Sequence, residues 1–191
     1  MGKFKKYCLP FLLLGILVLA VACTNSEETG QSSKGSDKES QGKSEGEKNV
    51  RTVLETIFTG PNEEQVKLLN SNGDIEKFSE NLNDYRQENF KPYMSTNFYD
   101  SHILKLSGGI GFLHIAHPAY ILEVDEMTLE EREAKEGDYD FIVKVSYTNK
   151  ESGKSETMNV EGTASTNEDG KITSIRYLNA EEFRDAIRNH G

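Results

Sequence analysis

The chain has 191 residues, with 32 acidic side chains against 22 basic ones and a net charge of −10. A surface of that sign repels phosphate backbones and anionic lipid headgroups alike, which argues against nucleic-acid binding and against a membrane contact held by basic residues. The acidity itself signals solubility and names no partner.

The chain opens "MGKFKK", three lysines among six residues with no acid, and then runs apolar from Tyr7 to Ala22, interrupted by Pro10 and Gly15. This is the layout of a secretory signal. The apolar run is 16 residues, whereas a helix crossing a bilayer needs about 20, so removal is expected rather than a permanent span. Small residues Ala20 and Ala22 stand third and first before Cys23, which predicts cleavage between Ala22 and Cys23. The stretch "LAVAC", residues 19 to 23, resembles the lipobox of bacterial lipoproteins. The resemblance implies that Cys23 is the lipid attachment site, its sulfur carrying a diacylglycerol, and that the protein sits on the cell membrane facing outside the cytoplasm. Two acyl chains, at about 0.8 kcal/mol per buried methylene, hold a soluble domain on a membrane where one would be marginal.

Removing the signal takes away Lys3, Lys5 and Lys6 and leaves 19 basic residues against 32 acidic, a balance of −13. It also takes away Cys8, so the mature chain would have no cysteine pair. A disulfide framework, a zinc ribbon and thiol-redox chemistry are thereby set aside. Residues 24 to 48, "TNSEETGQSSKGSDKESQGKSEGEK", hold no aliphatic or aromatic side chain. With nothing to bury, they are expected to form a disordered tether, with a reach of about 25 to 30 Å. The predicted organisation is therefore signal peptide 1–22, lipidated cysteine and tether 23–48, and a single domain 49–191.

In that domain Val50, Val53, Leu54, Ile57 and Phe58 form the stripe of an amphipathic helix that Gly60-Pro61 ends. Asn62 and Gln65 have the spacing of a capping box for a short helix carrying Val66 and Leu69. Asp74 caps a third helix with Ile75, Phe78, Leu82 and Tyr85 on one face and Pro92 beyond its end. The period then changes. Tyr120, Leu122 and Val124 alternate with Ile121, Glu123 and Asp125, the alternation recurs over Tyr139 to Tyr147 and Met158 to Ala164, and Ile172 to Leu178 adds a last strand. Short turns at "AKEGD", "NKESGK" and "NEDGK" make these strands an antiparallel meander. Asn179 and Glu182 are placed to cap a last helix that buries Phe183 and Ile187.

The predicted class is α+β: N-terminal helices packed on a curved antiparallel sheet of about four strands, with a short C-terminal helix. This order of elements resembles the nuclear transport factor two-like fold, the cone shared by ketosteroid isomerase, scytalone dehydratase and many membrane-tethered bacterial domains. A small cystatin-like sheet, crossed by one long helix, is the alternative.

Chemistry-bearing patterns are few. His114 and His117 are three apart, yet Pro118 disfavours helical geometry at His117 and no third ligand lies at a telling spacing. "SGGIG", 107 to 111, lacks the Lys-Ser/Thr of a phosphate-binding loop and reads as a connection into the sheet. No metal or other cofactor is expected. The cone resemblance raises a proton-shuttling acid, but Glu123, Asp125, Asp140 and Glu161 point to solvent by alternation, where burial cannot raise a carboxyl toward neutrality. Tyr93, Tyr120, Phe141 and Tyr147 are the candidates for a ligand pocket on the concave side, with simple core as the competing reading. The charged stretch "DEMTLEEREAKEGD" reads as a solvated, protruding hairpin that can also serve as a contact surface for another protein. The lack of a catalytic pattern predicts a non-catalytic module that binds a protein or a small ligand, and the resemblance to membrane-tethered domains of this fold implies an accessory module of the cell envelope with a protein partner. The alternative is a small-molecule binder or isomerase-like enzyme using the cone.

Overall fold

The computed structural model describes residues 36–104 and 108–189, all within one compact unit, Lys34–Gly191. The protein is α+β. Among the described residues six α-helices, α1 (Ser36–Phe58), α2 (Glu63–Asn70), α3 (Ile75–Asn89), α4 (Thr96–Phe98), α5 (Gly111–Ala116) and α6 (Ala180–Asn189), accompany one sheet of β1 (Tyr120–Glu131), β2 (Asp138–Asn149), β3 (Ser155–Thr166) and β4 (Ile172–Tyr177). The strands run antiparallel in the order β1-β2-β3-β4, as a meander. Among the described residues no helix is long and apolar enough to cross a membrane.

Helix α1 carries the predicted stripe onto the sheet: Val50, Val53, Leu54 and Phe58 are fully buried. It begins earlier than expected. The predicted tether ends at residue 48, yet the backbone is helical from Ser36, and Gly46 and Asn49 are buried in the domain. The reason is contact, not composition. A side chain at Gly46 would strike Thr166 and Tyr139, and a Cβ on Gly170 would lie 2.9 Å from the Gly46 nitrogen, so two glycines let the helix rest on the turn between β3 and β4. Asn49 Nδ2 donates to the Gly170 carbonyl at 2.9 Å.

Gly60, at φ +132°, leads out of α1 where only glycine fits. Its N–H and C=O bond Leu122 in both directions, at 2.9 and 2.7 Å, and so tie the helical layer to the free edge of β1. The capping box of α2 is formed: Asn62 Oδ1 accepts from the Gln65 N–H at 2.9 Å and Gln65 Oε1 accepts from the Asn62 N–H at 2.7 Å. Helix α2 buries Leu68 and Leu69 rather than Val66, which is half-buried. Asp74 caps α3 as expected, but Ile75 is 81 % exposed, because the first turn of α3 lies beyond the core.

Two helical pieces were not expected. Ser95 caps α4, which continues as a π-helical turn over Tyr99–Ile103, and α5 follows the glycine-rich stretch directly. The Asn179 cap is also different. Its Oδ1 accepts from the Glu161 N–H and its Nδ2 donates to the Asn159 carbonyl, so Asn179 stitches the entrance of α6 to β3.

The inner sheet face and the helices share one aromatic core. Phe58 and Phe112 contact each other and both contact Phe183 and Tyr177, at centroid distances of 5.1 to 5.8 Å, and Phe141 joins through Tyr177 at 6.0 Å. The Phe141 ring lies over Gly162, its partner on β3.

Candidate functional site

Cys23 and Ala22, the expected lipid attachment and cleavage positions, lie outside the described residues. So do the signal and the first part of the tether.

The four aromatics expected around a pocket divide. Tyr120, Phe141 and Tyr147 all face inward from β1 and β2 and are 3 %, 2 % and 5 % exposed. The rings of Tyr120 and Tyr147 meet at 6.1 Å, and Tyr147 also meets Phe183 at 6.4 Å. These three side chains are core: α1, α5 and α6 fill the concavity they were expected to line. Tyr93 lies in the turn after α3 and is half-buried at the rim of that core. One polar feature remains at the Tyr120 end. The Tyr147 hydroxyl donates to Glu156 at 3.2 Å, Lys154 pairs with the same carboxylate at 2.7 Å, and the Tyr120 hydroxyl is buried with no hydrogen-bond partner. Burial first, and then Glu156, pushes the Tyr147 phenol up, so it stays a neutral donor.

Glu123, Asp125, Asp140 and Glu161 are all exposed, as alternation predicts. Asp140 is held below the usual carboxylate range by its hydrogen bond from Arg132. His114 is exposed on α5, while His117 follows that helix in extended conformation, as Pro118 requires. The His117 Nε2 meets Asn70 Oδ1 at 3.0 Å, and its Nδ1 is buried without a partner. Among the described residues no group of three His, Cys, Asp or Glu side chains is placed to hold a metal.

Two exterior features stand out, the first where sequence reasoning placed no site and the second within the charged stretch read as a hairpin and contact surface. One is a groove of about 840 Å³ between α2 and α3, with Val66, Leu68 and Tyr85 as its apolar lining and Glu64, Asp74, Asp84 and Glu88 outnumbering Lys67 and Lys77. Gln65 Nε2 donates to the Tyr85 hydroxyl beside it at 2.8 Å. The other is the outer edge of β1. A bulge lies between Val124 and Glu126. Before it Tyr120 and Leu122 face the core; after it Met127 and Leu129 do. The strand therefore runs on to Glu131, past the Tyr120 to Asp125 alternation and into the charged stretch read as a protruding hairpin. No sequence signal short of the bulge itself marks this, because the extra residue breaks the alternation. Comparison with protein-family models, with curated proteins and with solved structures finds no match.

Proposed function

We propose that the chain is a bacterial lipoprotein, anchored through Cys23 and facing outside the cytoplasm, whose domain follows the nuclear transport factor two-like plan and serves as a non-catalytic interaction module of the cell envelope. The observation that carries the module reading is the filled inner face. Phe141 packs against Tyr177, Tyr147 against Phe183, and Tyr120 against Tyr147, so what the domain offers to another molecule is its exterior. The lipobox-like "LAVAC" supports the anchor.

The test uses the full chain extracted from its source cells in mild detergent and weighed by native mass spectrometry. A co-purifying polypeptide at fixed stoichiometry supports the module. A reproducible small-molecule adduct that Tyr120→Phe or Tyr147→Phe removes overturns it in favour of an occupied cone. For the anchor, Cys23→Ala is expected to move the protein from the membrane fraction to the soluble one; retention at the wild-type level sinks that part.

A further inference from the structure

We propose that the outer edge of β1, from Val124 to Leu129, is a docking strip for an extended basic segment of a partner protein, which adds to the sheet as a fifth strand. The proposal deepens the reading of the domain as an interaction module and rests on it.

Pairing fixes which backbone groups face outward. Leu122 bonds Gly60 on the side away from β2, so its partnership with Tyr147 is of the kind that leaves backbone groups pointing to the edge. Continuing along the strand and through the bulge, Val124, Met127 and Leu129 present their N–H and C=O groups outward. Among the described residues no backbone group pairs with them. Such an edge is a template for a strand.

The chain itself supplies two indications of what fits there. Gly60 already pairs antiparallel with the lower end of the same edge. Higher up, the Arg51 guanidinium donates to the Met127 carbonyl at 2.9 Å, so a cationic donor is seated on the edge already. Strand β1 carries Glu123, Asp125, Glu126, Glu130 and Glu131 and no basic residue, while the nearby Arg132 and Lys135 are engaged with Asp140 and Asp138. Charge therefore selects the occupant. A second copy of β1 would set five acids against five and is repelled, whereas alternating basic residues would lie along Glu126 and Glu130 on the outer face. Apolar residues between them would extend the row of Met127 and Leu129, both half-buried on the inner face.

The probe is a short peptide alternating lysine and valine, added to the full chain in detergent and followed by fluorescence anisotropy and amide hydrogen exchange. The strip predicts binding that protects the Met127 and Leu129 amides. It also predicts weakening by about tenfold or more when alternate peptide amides are N-methylated, because that removes backbone bonds and leaves the charge. Leu129→Pro, which removes an edge-facing N–H together with the half-buried Leu129 side chain, should weaken binding similarly. The double variant Glu126→Lys with Glu130→Lys should abolish binding without touching the backbone, and so guards against a folding defect in the proline variant. Equal binding of the N-methylated peptide, protection confined to the α2–α3 groove, or a dimer of the protein alone that Leu129→Pro dissolves would each overturn the strip. If the strip fails while a polypeptide still co-purifies with the full chain, the module reading stands and only this surface is wrong.

Discussion

Two single positions report on how the domain is packed, one on the inner face of the sheet and one at the end of α5. Gly162 sits under the Phe141 ring, and a Cβ there would run into that ring and the Arg176 carbonyl. Gly162→Ala is expected to cost about 1 to 3 kcal/mol through overpacking, read as a lower denaturation midpoint with an unchanged slope; a midpoint equal to wild type would mean the sheet gives at no cost. The second is His117. Burial first, then Lys150 and His114, hold its imidazole below the usual range. A base depressed in the folded state contributes stability that is present above the unfolded value of about 6.5 and is lost as pH falls below it. Denaturation midpoints measured at mildly acidic and neutral pH should therefore differ more in the wild type than in His117→Gln. At this scale the outward placing of Glu123, Asp125, Asp140 and Glu161 was legible, because a strand's period of two needs only local sequence. The fate of Tyr120 and Tyr147 was not, because an inward aromatic looks the same whether the space before it is empty or already taken by Phe183.

At the scale of elements, signals carried within a few residues were readable and signals carried by distant contacts were not. The Asn62–Gln65 box is one of the former, and Asn62→Ala should cost about 1 kcal/mol, with the loss read by urea denaturation. Asn179 has the same spacing, but β3 lies close enough to claim its side chain, so a valid local pattern was put to a tertiary use. The early start of α1 is the clearest of the latter. Nothing within "EGEKN" marks it as packed, because its partner, Gly170, lies more than a hundred residues away. Asn49→Ala leaves the Gly170 carbonyl buried without that donor and is expected to cost about 1 to 3 kcal/mol. A value near zero, by the same measurement, would return this stretch to the tether. The short α4 and α5 escaped for another reason: a helix of one or two turns repeats its pattern too few times to stand out.

Across the whole molecule, one aromatic cluster joins both halves of the chain. Phe183 of α6 meets Phe58, Phe112 and Tyr147 at 5.8, 5.2 and 6.4 Å, so it touches the first helix, the last helix before the sheet, and the sheet itself. Phe183→Ala should cost about 3 to 5 kcal/mol, with loss of stability across the domain rather than fraying of α6 alone, seen as a uniform fall in amide protection. The overall plan was legible because the change from a helical period to a strand period falls cleanly between the two halves. The seating of α1 on the turn between β3 and β4 adds a mechanical meaning to that plan. Gly46 and Asn49 are held against Gly170, and the buried face of α1 continues from there to Phe58. Tension travelling along the axis of α1 must then slide the helix lengthwise past the sheet, stretching the Asn49–Gly170 bond and the packing of Val50, Val53, Leu54 and Phe58 together. Contacts strained in parallel share a force that would break them singly, so a pull on α1 along its axis is resisted by its whole buried face at once.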